Sequence, residues 1–143
     1  MRALLDVNVL IALLDAGHIF HQQALDWLSR EIRHGWSSCP LTQNGCVRIM
    51  SQPAYPGSFQ AGDIVARLGE AAKDPHHEFW PADVDLLASG LIDWSKILGH
   101  RQVADAYLLA LAVAHEGRFV TFDRRISVEV VQGATAGQLV ILS

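Results

Sequence analysis

Short apolar runs that stop on a single polar residue alternate along this chain with longer stretches in which apolar residues recur every three or four positions. The first pattern suits strands of a covered sheet and the second suits helices. Arg2 to Leu5 is a run of the first kind, ended by Asp6, and Val7 to Leu14 has the apolar density of a buried helix. Phe20, Ala24, Leu25, Leu28 and Ile32 recur at helical spacing, and Gly35 ends that helix. Trp36 to Cys39 predicts a second strand. The polar stretch PLTQNG, Pro40 to Gly45, comes next, after which Val47, Ile49 and Met50 predict a short helix that Pro53 stops. Pro56, Gly57 and Ser58 start another helix, whose apolar face of Ile64, Val65, Leu68, Ala71 and Ala72 runs to Lys73. Glu78 to Trp80 predicts a third strand and Asp93 to Leu98 a small helix. Arg101 to Glu116 is the most apolar helix, closed by Gly117; Phe119 to Phe122 is a strand ending at Asp123, and Leu139 to Leu142 is the last strand. Four or five strands separated by helices imply an α/β fold with a central parallel sheet covered by helices on both faces.

The length, 143 residues, suits a single domain spanning 1–143, and no Ser/Gly tract, charge block or repeat divides it. The longest apolar stretch, Ala106 to Ala114, falls short of the ~20 residues that span a bilayer. Asp6 also interrupts the N-terminal run where a signal peptide would stay apolar. Both features predict a cytoplasmic protein that avoids the membrane. Cys39 and Cys46 have no CxxC or Cys/His ligand spacing and read as free thiols. A net charge of -4 argues against a general nucleic-acid coat, while leaving room for a local site where metal ions offset the repulsion.

Parallel sheets bind ligands beyond the carboxyl ends of their strands. Asp6 and Asp123 stand at two such ends, and Asp105 is the only charged residue between Gln102 and His115. Each has an ordinary role open to it: Asp105 can complement the dipole of its helix, and the other two can shape turns. Those roles do not require acids to recur on one rim. Two carboxylates about 4 Å apart repel by roughly 4 kcal/mol at an effective dielectric of ~20. A hard divalent cation relieves that repulsion, and an oxygen-only donor set suits Mg or Mn better than Zn.

The segments LLDVNVLIALL (Leu4 to Leu14), QVADAYLLALA (Gln102 to Ala112) and FVTFDRRI (Phe119 to Ile126) together resemble the PIN domain, and within it the VapC-like toxins of bacterial toxin-antitoxin pairs. The likeness spans essentially the whole chain, with the motifs in the family's order. It implies a three-layer PIN-like fold and a Mg- or Mn-dependent endoribonuclease toxin that cleaves structured RNA such as tRNA or rRNA to inhibit translation. It also implies a cognate VapB-like antitoxin and a homodimer. Carried over position by position, the resemblance makes Asp6, Asp105 and Asp123 the catalytic acids. Asp6 and Asp105 become metal ligands, Asp123 a further candidate ligand, and Asn8 and Thr121 the small polar residues that accompany them.

The departure from the family pattern lies in PLTQNG. Most PIN toxins carry a Glu where this helix opens, and here Gln43 is the best match, with Asn44 beside it. An amide oxygen can ligate Mg or hold a metal-bound water, but it is no base at neutral pH. The missing charge predicts one firmly held metal and a second that arrives with the substrate phosphate. It also leaves open a catalytically weak or inactive PIN-like module that only binds RNA or protein.

The remaining features carry less. Arg48, Arg101, Arg124 and Arg125, with Lys96 and His100, flank the acids in sequence and are candidates for RNA phosphates, though each also suits a solvated rim. His18 and His21 have the spacing of a metal pair but no third ligand, and read as a helix start. His76 and His77 follow Pro75 and read as loop. Trp27, Trp36, Trp80 and Trp94, with Phe59 and Phe79, are scattered and read as core or interface anchors rather than a stacking platform. The face of Ile64, Val65 and Leu68 predicts cover by an antitoxin helix or a second copy. A haloacid-dehalogenase-like phosphatase using Asp6 as nucleophile is disfavoured, because such an enzyme usually has a second Asp where Asn8 stands.

Overall fold

A computed structural model describes residues 1–143. Five short strands, β1 (Ala3–Leu5), β2 (Trp36–Ser38), β3 (His77–Phe79), β4 (Arg118–Thr121) and β5 (Leu139–Ile141), form one sheet in the order β3-β2-β1-β4-β5. Every pairing is parallel, with Leu4 opposite both Ser37 and Phe119. Parallel neighbours need crossovers, and five helices supply most of them: α1 (Val7–Leu14), α2 (His21–Glu31), α3 (Pro40–Met50), α4 (Ala61–Ala71) and α5 (Val103–Ala114).

The period-2 alternation of the strands sorts them into two cores. Leu4 and Phe119 pack under α5, which is buried continuously from Asp105 to Ala112. Ala3, Leu5, Trp36 and Val120 face the other layer, against Val9 and Leu10 of α1, Trp27 of α2, Met50 of α3 and Ile64 of α4. The result is three layers, with the inner strands β1, β2 and β4 covered and the edge strands β3 and β5 partly exposed. The chain steps outward from β1 to β3 and then returns to place β4 on the far side of β1. Strand order therefore reverses between β1 and β4, and a crevice opens there at the carboxyl ends.

Several boundaries differ from those that the sequence predicts. PLTQNG does not precede the short helix; it forms the beginning of α3. Pro40 sits at the first helical position, where its fixed φ and missing N–H cost nothing, and the Cys39 N–H donates to Thr42 Oγ1 at 3.0 Å. Gly45 serves close packing, because a Cβ there would come within 2.7 Å of Val7 Cγ2. Helix α4 begins at Ala61 rather than at Pro56, since Gly57 and Ser58 adopt φ of 105° and 49°, outside the helical range. The small helix expected over Asp93 to Leu98 is only a 3-10 turn at Trp94–Lys96.

Helix α5 starts at Val103, after a 3-10 turn at His100–Gln102, and stops at Ala114. The left-handed residue beyond it is Glu116, with φ of 57°, and not Gly117. Gly117 is small because a Cβ would lie 2.5 Å from Trp80 Cη2 and 2.7 Å from the Arg2 carbonyl oxygen. His77 opens β3 instead of lying in a loop, and Trp80 falls just past that strand. Trp27, Trp36 and Trp80 are buried, whereas Trp94 and Phe79 are about half exposed and are not core anchors. On α4, Ile64 and Leu68 are buried while Val65 faces outward. Both cysteines are buried free thiols. No helix is long and apolar enough to cross a membrane.

Candidate active site

The crevice between β1 and β4 gathers the three acids, each delivered by a different element. Asp6 ends β1 and caps α1: its backbone N–H donates to the Val120 carbonyl at 2.9 Å, and its Oδ1 accepts the Val7 N–H at 2.7 Å. Thr121, the last residue of β4 and wholly buried, donates its hydroxyl to Asp6 Oδ2 at 2.6 Å. The same Oγ1 accepts the Asp123 N–H at 3.0 Å and the Asn8 side-chain amide at 3.3 Å. Asn8 Oδ1 accepts the Phe122 N–H at 3.3 Å. One hydroxyl thus holds the ends of β1 and β4 in fixed relation, and Asn8 and Thr121 are the connectors.

Asp105 approaches from the first turn of α5 and is buried. Burial, then the charges of Asp6 and Asp123, push the Asp105 carboxyl up to about 7 against the pull of Arg125. Asp6 is also raised, chiefly by burial, with the Thr121 and Val7 hydrogen bonds opposing. Asp123 is lowered, chiefly by its hydrogen bonds to Arg125. That pair is bidentate: Nε to Oδ1 at 2.9 Å and Nη2 to Oδ2 at 2.7 Å.

Three carboxylates facing one guanidinium leave two formal negative charges, which one divalent cation would cancel. The carboxylates do not close a three-ligand cage in advance. A hard, water-retaining ion such as Mg needs only one or two of them, so the oxygen-only set fits Mg or Mn and does not fit a thiophilic metal.

Gln43 and Asn44 do not join this group. Gln43 Nε2 donates to Ser38 Oγ at 3.0 Å, and Ser38 Oγ lies 2.9 Å from His77 Nε2. Both amides line a groove of about 520 Å³ between α3 and α4, with Val47, Val65 and Leu68. Neither hydrogen-bonds to Asp6, Asp105 or Asp123, and the one side-chain bond of the pair runs from Gln43 to Ser38. Burial lowers the pKa of His77, which favours a neutral ring that accepts from Ser38.

The basic candidates divide. Arg48, Arg101 and Arg124 are exposed, and their guanidinium groups bond to nothing in the chain. Arg125 is spent on Asp123, and Lys96 lies 3.8 Å from Asp93 and 3.9 Å from Glu129. His18 Nδ1 accepts the Phe20 N–H, and His21 Nδ1 pairs with the Ala12 carbonyl, so both rings serve a helix start. Gln102 escaped the sequence reading: it accepts the Leu98 N–H at 2.6 Å and donates to the Arg125 carbonyl at 2.7 Å, joining the loops on either side of the acids. No spacing marks such a residue. The Asp123–Arg125 pair was legible in principle, since an Asp after a strand commonly accepts the N–H two residues on.

A profile of the PIN domain matches residues 3–129. The chain is 51% identical over 142 residues to ribonuclease VapC44 of Mycobacterium tuberculosis, a match covering 99% of this chain and 100% of that protein. Ribonuclease VapC39 of the same organism is 38% identical over 143 residues, covering 99% and 100%. Among solved structures, Mycobacterium tuberculosis VapC20, a sarcin-ricin loop cleaving toxin, superposes with a TM-score of 0.61 at 15% identity, over 94% of this chain and 100% of that one. VapBC2 from Rickettsia felis, bound to a DNA fragment from its promoter, superposes with a TM-score of 0.54 at 12% identity, over 86% and 89%. At such identities the structural likeness concerns the fold alone.

Proposed function

The chain belongs to the PIN-domain family, and on that premise we propose that it is a VapC-like endoribonuclease toxin that hydrolyses structured RNA with the help of Mg or Mn. The observation that carries the reading is the convergence of Asp6, Asp105 and Asp123 on the strand-order reversal, with one guanidinium against three carboxylates.

Asp6 and Asp105 would hold the cation, with Asp123 as a further ligand. When bound, the ion supplies a Lewis acid for the scissile phosphate and a water acidic enough to attack it at neutral pH. Thr121 and the Val7 N–H fix the Asp6 carboxylate, and each of its oxygens retains a lone pair for a ligand. The Asp105 carboxyl, raised to about 7, would give up its proton on taking the role of ligand. Arg48, Arg101 and Arg124 contact backbone phosphates of the RNA. Hydrolysis in line with the leaving oxygen gives a 5'-phosphate product.

A tRNA or rRNA substrate, inhibition of translation, a cytoplasmic location, neutralisation by a VapB-like antitoxin and a homodimer complete the reading. The named relatives are ribonucleases of VapC type, and one fold neighbour is a VapBC pair, which supports it. A second reading, a weakly active or inactive binding module, is favoured by one observation: Gln43 brings no charge to the site and bonds Ser38 instead.

Incubating the purified chain with a structured RNA decides between them. Cleavage that needs Mg or Mn, stops with EDTA and is lost in Asp6→Asn supports the enzyme. Equal cleavage by both proteins, or cleavage indifferent to EDTA, overturns it.

A further inference from the structure

We infer that Arg125 is the resident counter-cation of the acidic site, holding the Asp123 carboxylate until a divalent ion displaces it. The inference rests on the metal reading of Asp6, Asp105 and Asp123 given above. Three features of Arg125 carry it. First, its guanidinium fork engages both Asp123 oxygens, at 2.9 and 2.7 Å, and its own N–H engages Oδ1 at 2.9 Å. A cation arriving at Asp123 meets an Oδ1 that already accepts two N–H groups and an Oδ2 that accepts one, with a guanidinium charge beside both.

Second, backbone and side chain differ in freedom. The Arg125 carbonyl is tied to Gln102 at 2.7 Å, whereas its side chain is about half exposed and contacts no acid other than Asp123 by hydrogen bond. The guanidinium can swing outward without moving the loop. Third, the role is not shared. Arg48, Arg101 and Arg124 make no ion pair, and Lys96 pairs with Asp93 and Glu129.

A displaced guanidinium stays at the mouth of the crevice, where its planar fork suits a phosphate as well as it suits a carboxylate. Ion uptake and RNA grip then become coupled, because the same event fills the acids and frees the arginine. Arg125 is thus a positioning residue whose release accompanies loading of the site.

The test is a calorimetric titration of the full chain with Mn, comparing wild type, Arg125→Ala and Arg125→Lys. Removing a competing, partly exposed ion pair predicts that Arg125→Ala binds Mn about fivefold more tightly, with Arg125→Lys between the two. Thermal melting supplies a second readout: without metal Arg125→Ala melts below wild type, and Mn raises its melting temperature by a larger increment. If wild type takes up Mn and Arg125→Ala binds it no more tightly, the assignment is overturned while the metal site stands. If neither protein takes up Mn, the metal reading falls and this inference with it.

Discussion

Thr121 Oγ1 sits 2.6 Å from Asp6 Oδ2, joining the last residue of β4 to the residue that ends β1. Because this oxygen also accepts from the Asp123 N–H and from Asn8, one hydroxyl organises residues from both sides of the crevice.

Thr121→Val keeps the shape but removes that oxygen, leaving the Asp6 carboxylate without its donor and the Asp123 N–H without its acceptor. The expected cost is roughly 1–3 kcal/mol of stability, with a loss of RNA cleavage at limiting metal. Thr121→Ser, which keeps the hydroxyl, should retain most of both. Urea unfolding and cleavage rates measured side by side check the pair of variants.

Asp105 makes the metal-free protein sensitive to alkali. Its carboxyl is raised to about 7 in the folded chain, above the ordinary value of about 3.9 for an unfolded one. Its contribution is therefore fully present below pH ~4 and is lost as pH rises through about 7. Melting in EDTA should fall between pH 5 and pH 8 in wild type. Asp105→Asn should melt above wild type at pH 8, by roughly 3–8 °C once solvent screening is allowed for, and show little advantage at pH 5. Mn uptake should move the other way, strengthening as pH rises through about 7.

Asp6 and Asp123 could be placed on the rim from sequence because Asp6 directly follows a short apolar strand and Asp123 lies two residues past the end of another. Asp105 was legible as the lone charge in an apolar helix. The first residue of α3 was not: apolar periodicity begins only at Val47, and the Cys39–Thr42 capping bond is what shows the helix under way from Pro40. For Arg125, the backbone bond to Asp123 follows from the turn after the strand, whereas the side-chain fork depends on loop geometry that composition does not encode. The engagement of Gln43 with Ser38 depends on a neighbouring strand and left no trace in local sequence.

Gly45 and Gly62 lie in different helices and should respond oppositely to alanine. A Cβ at Gly45 meets Val7 Cγ2 at 2.7 Å and would force α3 away from α1, next to Asp6; one at Gly62 meets nothing within 4 Å. Gly45→Ala is expected to destabilise by about 1–3 kcal/mol and to slow RNA cleavage. Gly62→Ala is expected to stabilise by about 0.5–1 kcal/mol through helix propensity, with cleavage unchanged. Chemical unfolding of the two variants measures the contrast.

Glu116 holds a left-handed conformation, φ of 57°, that glycine adopts without a steric cost. Glu116→Gly should therefore stabilise the end of α5, by about 0.5–1 kcal/mol after the added freedom of the unfolded chain is subtracted. A thermal melt showing destabilisation would mean that the Glu116 side chain contributes more than its backbone strain costs.

On the proposed reading, Asp6, Asp105 and Asp123, from three elements, would share one divalent cation at the β1–β4 crevice. Counting bound Mn by electron paramagnetic resonance in wild type, Asp6→Asn and Asp105→Asn tests that most directly. The account predicts one ion per wild-type chain and loss of that ion in both variants with the fold intact. A wild-type chain that binds none, or variants that bind as wild type does, would contradict it.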